Sequence, residues 1–106
     1  MYMLKKQEIL DYLIYLKPEL QKMGIHKIGL FGSYAKDRAD ITSDIDITIE
    51  SSREFVNKLG GMGAIIYLDE LREKLIKHFK IQVDLCNTAS MSEERKSKLL
   101  SGVIYV

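Results

Sequence analysis

The sequence predicts a small α/β sandwich, a short mixed sheet packed by helices. Three observations carry that expectation. Apolar residues recur at helical spacing over 3–17 and again over 64–79. Residues 44–50, DIDITIE, alternate polar and apolar for seven positions, the period of a strand with one polar face. The runs IHKIGLF at 25–31 and KIQVDLC at 80–86 read as further strands.

In chain order, Leu4, Ile9, Leu10, Leu13, Ile14 and Leu16 form the apolar stripe of the first helix. Pro18 fits the first residue of a further helical turn, or a kink, and Gly24 suits a left-handed stop. After the first strand, residues 32–43 read as a loop with a helical turn near 34–36. Ser51 and Glu54 have capping-box spacing, which predicts a short helix over 52–59. Gly60, Gly61 and Gly63 break it. The helix that follows carries Ile65, Leu68, Leu71, Leu75, Ile76 and Phe79 on its core side. Met62 to Tyr67 would extend a partner surface if that side were left uncovered. Ser90 and Glu93 repeat the capping-box spacing and predict a last helix over 91–103.

Composition narrows the function. A chain of 106 residues is the size of one domain, 1–106, and its 46% hydrophobic content supports a core. Sixteen Lys and Arg against fifteen Asp and Glu leave a net charge of +1, which excludes a general basic coat for nucleic acid. No run is long and apolar enough to span a membrane. The opening MYMLKKQE lacks the apolar core of a secretory leader. The single Cys86 makes no internal disulfide and fits a reducing cytoplasm. His26 and His78 are isolated, without zinc-ligand spacing, and His78 suits the C-terminal end of a helix. There is no Gly-x-x-x-x-Gly-Lys loop, no Gly-x-Gly-x-x-Gly and no Gly-x-Ser-x-Gly elbow.

The chemistry gathers in three places. Gly32-Ser33 follows a strand at a turn, where glycine lets backbone N–H groups approach a phosphate and serine adds a hydroxyl. Asp44 and Asp46 stand two apart on a predicted strand, so their carboxylates leave the same face. Two such carboxylates repel when ionised, and a hard divalent cation relieves that repulsion. Asp84 lies between Val83 and Leu85 in another strand, where a carboxylate needs a partner or a cation. Each feature alone has an ordinary reading: a tight turn, an acidic edge strand, a strand end facing water.

Together, GSYAKD, SDIDI and VDLC resemble the nucleotidyltransferase superfamily signature. More narrowly, the chain resembles the minimal nucleotidyltransferase family of bacteria and archaea over nearly its whole length. The resemblance implies a polymerase β-like nucleotidyltransferase fold. It implies that Asp44, Asp46 and Asp84 hold two Mg²⁺ ions (or Mn²⁺) and carry the catalysis, with Asp84 helping to activate the acceptor hydroxyl. It implies that Gly32 and Ser33 hold the triphosphate of ATP, with Lys36 and Arg38 neutralising phosphate charge. It further implies an antitoxin that transfers AMP to a tyrosine of a HEPN-type ribonuclease toxin and forms a hetero-oligomer with it. The alternative is a non-catalytic antitoxin that neutralises its partner by direct binding. Two positions depart from the family pattern. Lys36 replaces the usual Arg and loses its planar fork. Asp37 replaces the usual Gly, where it would strain a turn or repel a phosphate.

Overall fold

The computed structural model describes residues 3–106; Met1 and Tyr2, at the start of the segment read for a leader, lie outside the described residues. The elements run α1 (Lys6–Lys22), β1 (Ile25–Phe31), α2 (Gly32–Ala35), β2 (Ile45–Ser51), α3 (Arg53–Phe79), β3 (Val83–Asn87), α4 (Glu93–Leu99) and β4 (Ile104–Tyr105). The sheet order is β3-β2-β1-β4. β1 pairs antiparallel with β2 and β4, while β2 pairs parallel with β3. The parallel pair needs a long crossover, and α3 supplies it. The expected mixed sheet packed by helices is therefore present.

The core explains this arrangement. Ile45, Ile47 and Ile49 alternate along β2 and are fully buried. In the antiparallel register Ile28 faces Ile49 and Leu30 faces Ile47, so their side chains share that face. Ile9, Leu13, Leu16 and Leu20 of α1 and Phe55, Leu71 and Leu75 of α3 join the same buried cluster. The opposite side of β2 presents Asp46, Thr48 and Glu50. Core packing thus fixes the direction in which Asp46 points.

Several boundaries differ from expectation. α1 runs on to Lys22 with Pro18 inside it and exposed, because Leu20 beyond it is buried in the core. α3 is two helical stretches meeting at Gly60, whose φ of 74° and ψ of 167° break the helix where the glycine cluster predicts. Ser51 stays in β2, and Ser52 takes the N-cap position of α3. The Ser52 hydroxyl donates instead to the Gly24 carbonyl at 2.9 Å, tying the start of α3 to the end of α1. β3 starts at Val83, because Lys80 ends α3 in the left-handed region with φ 59° and its N–H donates to the Ile76 carbonyl at 2.7 Å. The last helix stops at Leu99 rather than 103, and Gly102 with φ 79° turns the chain into β4. Ile14 and Ile65, read as core positions, are 53% and 67% exposed, lying off the buried stripes of their helices.

Ser92, not Ser90, caps α4: its hydroxyl accepts from the Arg95 N–H at 3.2 Å. Replacing it should release that N–H and melt a short helix with no buried residue of its own. Ser92→Ala is expected to lower stability by about 1 kcal/mol, and Ser90→Ala to leave it unchanged. Urea denaturation of both variants checks this.

Candidate active site

The site is built where β1 ends and β2 begins. β1 passes directly into the single turn α2 at Gly32, whose φ of 73° belongs to the left-handed region. Phe31 is the register partner of Asp46, so this turn lies beside the Asp46 carboxylate. A Cβ on Gly32 would overlap the Asp46 carboxyl group. Glycine is required here by both the backbone and the space.

Beyond α2 the chain is held by backbone bonds. Lys36 N–H donates to the Gly32 carbonyl at 3.1 Å and Arg38 N–H to the Ser33 carbonyl at 2.9 Å. Asp37 has φ 57°, a conformation glycine adopts at no cost and aspartate tolerates better than most residues. Its carboxylate accepts from the Lys6 ammonium of α1 at 3.0 Å. The stem of Lys36 lies along Gly102, in the turn before β4. Lys36, Asp37 and Arg38 are all exposed. Next, the Asp40 carboxylate accepts from the Thr42 N–H at 2.8 Å and the Thr42 hydroxyl at 2.6 Å. These bonds hold the Asp40 carboxyl below its ordinary pKa. The resulting turn leads into Asp44, exposed and one residue before β2 rather than within it.

The parallel pairing of β2 with β3 sets Asp46 directly opposite Asp84. This is the juxtaposition that the sequence alone does not supply. The Asp46 carboxyl is raised above its ordinary pKa, first by burial, then by the charge of Asp84, a hydrogen bond with the Asp84 side chain and the charge of Asp44. Asp84 and Asp44 therefore both act on Asp46. Their oxygen donors are of the kind Mg²⁺ and Mn²⁺ prefer, and their crowded negative charge is what a cation would relieve. The residues fit a divalent metal in chemical type. Among the described residues, however, no group of three or more His, Cys, Asp or Glu side chains is already gathered to hold one.

Other candidates fall outside this site. The His78 ring stacks on Tyr12, with ring centres 3.6 Å apart. Cys86 is partly buried in β3, and burial raises its thiol pKa. Met62, Ile65 and Ile66 of α3 are at least half exposed. The Lys6–Asp37 pair carries no local sequence signal, since 31 residues separate its partners. Among the described residues, no helix is long and apolar enough to cross a membrane.

The nucleotidyltransferase domain family matches residues 13–106. The protein adenylyltransferase MntA of Thermococcus cleftensis is 32% identical over 107 residues, covering all of both chains. Among solved structures, one assigned as a minimal nucleotidyltransferase superposes with a TM-score of 0.73 at 15% identity, covering 98% of each chain. A toxin–antitoxin structure with AMP-PNP superposes with a TM-score of 0.62 at 24% identity, covering 96% of this chain and 72% of that one.

Proposed function

The chain belongs to the nucleotidyltransferase domain family, and from that premise we propose that it is an antitoxin that adenylylates its toxin. It transfers AMP from ATP to a tyrosine hydroxyl of a HEPN-type ribonuclease. The observation that carries this reading is the Asp46–Asp84 pair, crowded by Asp44 and set beside the glycine turn at Gly32. A structural role would gain nothing from such repulsion. Two further findings support the reading: the full-length relative is a protein adenylyltransferase, and the toxin–antitoxin neighbour was solved with an ATP analogue.

In this scheme Gly32 and Ser33 receive the triphosphate at the end of β1, and Lys36 and Arg38 offset its charge. Asp44, Asp46 and Asp84 form the acidic wall. Two Mg²⁺ ions bound there would polarise the α-phosphate and stabilise charge on the leaving oxygen. The acceptor hydroxyl forms a bond to the α-phosphorus, and its proton passes to Asp84. The bond from the α-phosphorus to the bridging oxygen breaks, and pyrophosphate leaves in line. Positioning and electrostatics do most of the work in such transfers.

The binding-only alternative draws on Asp37, read from sequence as a charge that would repel phosphate. The structure weakens that argument, because Asp37 is paired with Lys6. The test is the intact mass of the protein encoded beside this one, after incubation with this chain, ATP and Mg²⁺. A gain of one or more AMP units is expected, and none with the Asp44→Asn, Asp46→Asn double variant. A stable complex without mass gain would favour neutralisation by binding alone.

A further inference from the structure

The loop proposed to receive the triphosphate has a charge problem that its neighbours resolve. Between residues 36 and 40 it carries Lys36, Asp37, Arg38 and Asp40, two positive and two negative charges. Asp40 is engaged by Thr42 and Ser43 in its own turn. Asp37 is different. Its left-handed backbone would suit an uncharged glycine, and its side chain remains 71% exposed at the loop surface. Left alone, that carboxylate would oppose the attraction of Lys36 and Arg38 for a polyanion.

Lys6 meets it from the first turn of α1, at 3.0 Å and across 31 residues of chain. The Lys6 side chain is 32% exposed, and it sits with Leu4, Tyr34, Asp37 and Ala39 around a small cleft beside the loop. A pair this open to water contributes little to stability. Its effect on a nearby ligand is another matter, because a triphosphate carries several charges and each interacts with an unpaired carboxylate.

We propose that Lys6 is a positioning residue of the nucleotide site, whose ammonium neutralises and restrains the Asp37 carboxylate so that the loop presents Lys36 and Arg38 to the triphosphate. Lys6 itself does not touch the nucleotide. The inference rests on the ATP-dependent reading above.

The test is a double-mutant cycle on the full chain, read as the Kd for ATP with Mg²⁺ by calorimetry and as KM for ATP in AMP transfer. Lys6→Ala should raise both about fivefold, with kcat little changed and the melting temperature nearly constant. Lys6→Arg should restore them. In an Asp37→Gly background, Lys6→Ala should have no effect, since there is no carboxylate left to neutralise. An equal loss in both backgrounds would mean that Lys6 contacts phosphate directly, and would overturn the proposal. Unchanged ATP affinity in Lys6→Ala would overturn it while leaving the ATP reading intact. Absence of ATP binding by the parent chain would overturn both.

Discussion

Asp46→Asn is expected to abolish AMP transfer, by about 10²-fold or more, while making the folded protein more stable at neutral pH. The two effects share one cause. Burial, Asp84 and Asp44 all disfavour the ionised Asp46 carboxylate and raise its pKa in the folded state. A raised carboxyl binds its proton more tightly folded than unfolded. Its stabilising contribution is full below the unfolded value and is lost as pH rises through the folded one. Once ionised, the parent's carboxylate is disfavoured by burial and by its acidic neighbours, and the neutral amide removes that penalty. Below about pH 4, where the parent is also protonated, the two melting temperatures should converge. Adding Mg²⁺ should raise the melting temperature of the parent more than that of the variant, since only the parent retains the full acidic wall. A variant less stable than the parent at neutral pH would contradict the crowding of these acids. A variant that still transfers AMP at the parent's rate would remove Asp46 from the catalytic role.

How much of this site was legible in the sequence differs residue by residue. Period-two alternation in DIDITIE identifies β2 and places Asp46 on its polar side, because core packing on one face enforces the alternation. Asp84 is visible as a carboxylate in an apolar strand. Their meeting is not visible, since it depends on β3 pairing parallel to β2 in a particular register. That register joins two strands separated by the whole of α3. β4 escapes because two residues, Ile104–Tyr105, are too few for any period to register. Gly102 did carry a usable signal, a left-handed stop just after a helical stretch. The capping serines show a different limit. Ser-x-x-Glu spacing points to Ser51 and Ser90, yet Ser52 and Ser92 occupy the N-cap positions. In the first case pairing to β1 keeps Ser51 extended in the sheet, which spacing cannot reveal. Asp37 is intermediate. The family resemblance marks it as a position usually held by glycine, and its positive φ fits that, but its ionic partner lies in α1.

Gly32→Ala is expected to reduce AMP transfer by about 10–10²-fold, because a misplacement near 1 Å can cost that much at a reacting centre. Two penalties combine at this residue. Any side chain at φ 73° pays about 1–2 kcal/mol for the left-handed conformation. The new methyl group would also occupy the space of the Asp46 carboxyl, so either that carboxylate rotates from Asp84 or the turn lifts away from β2. Gly102→Ala separates the two. Gly102 has φ 79°, but an added Cβ there meets only the flexible stem of Lys36, at 3.3 Å and beyond. That variant should lose a similar increment of stability and keep most of its activity. Melting temperature and initial rate, measured on both variants, distinguish the cases. If Gly102→Ala were as inactive as Gly32→Ala, backbone strain would account for the loss. If Gly32→Ala alone fails, the contact between the glycine turn and Asp46 is what the reaction depends on, and the turn and the acids act as one site.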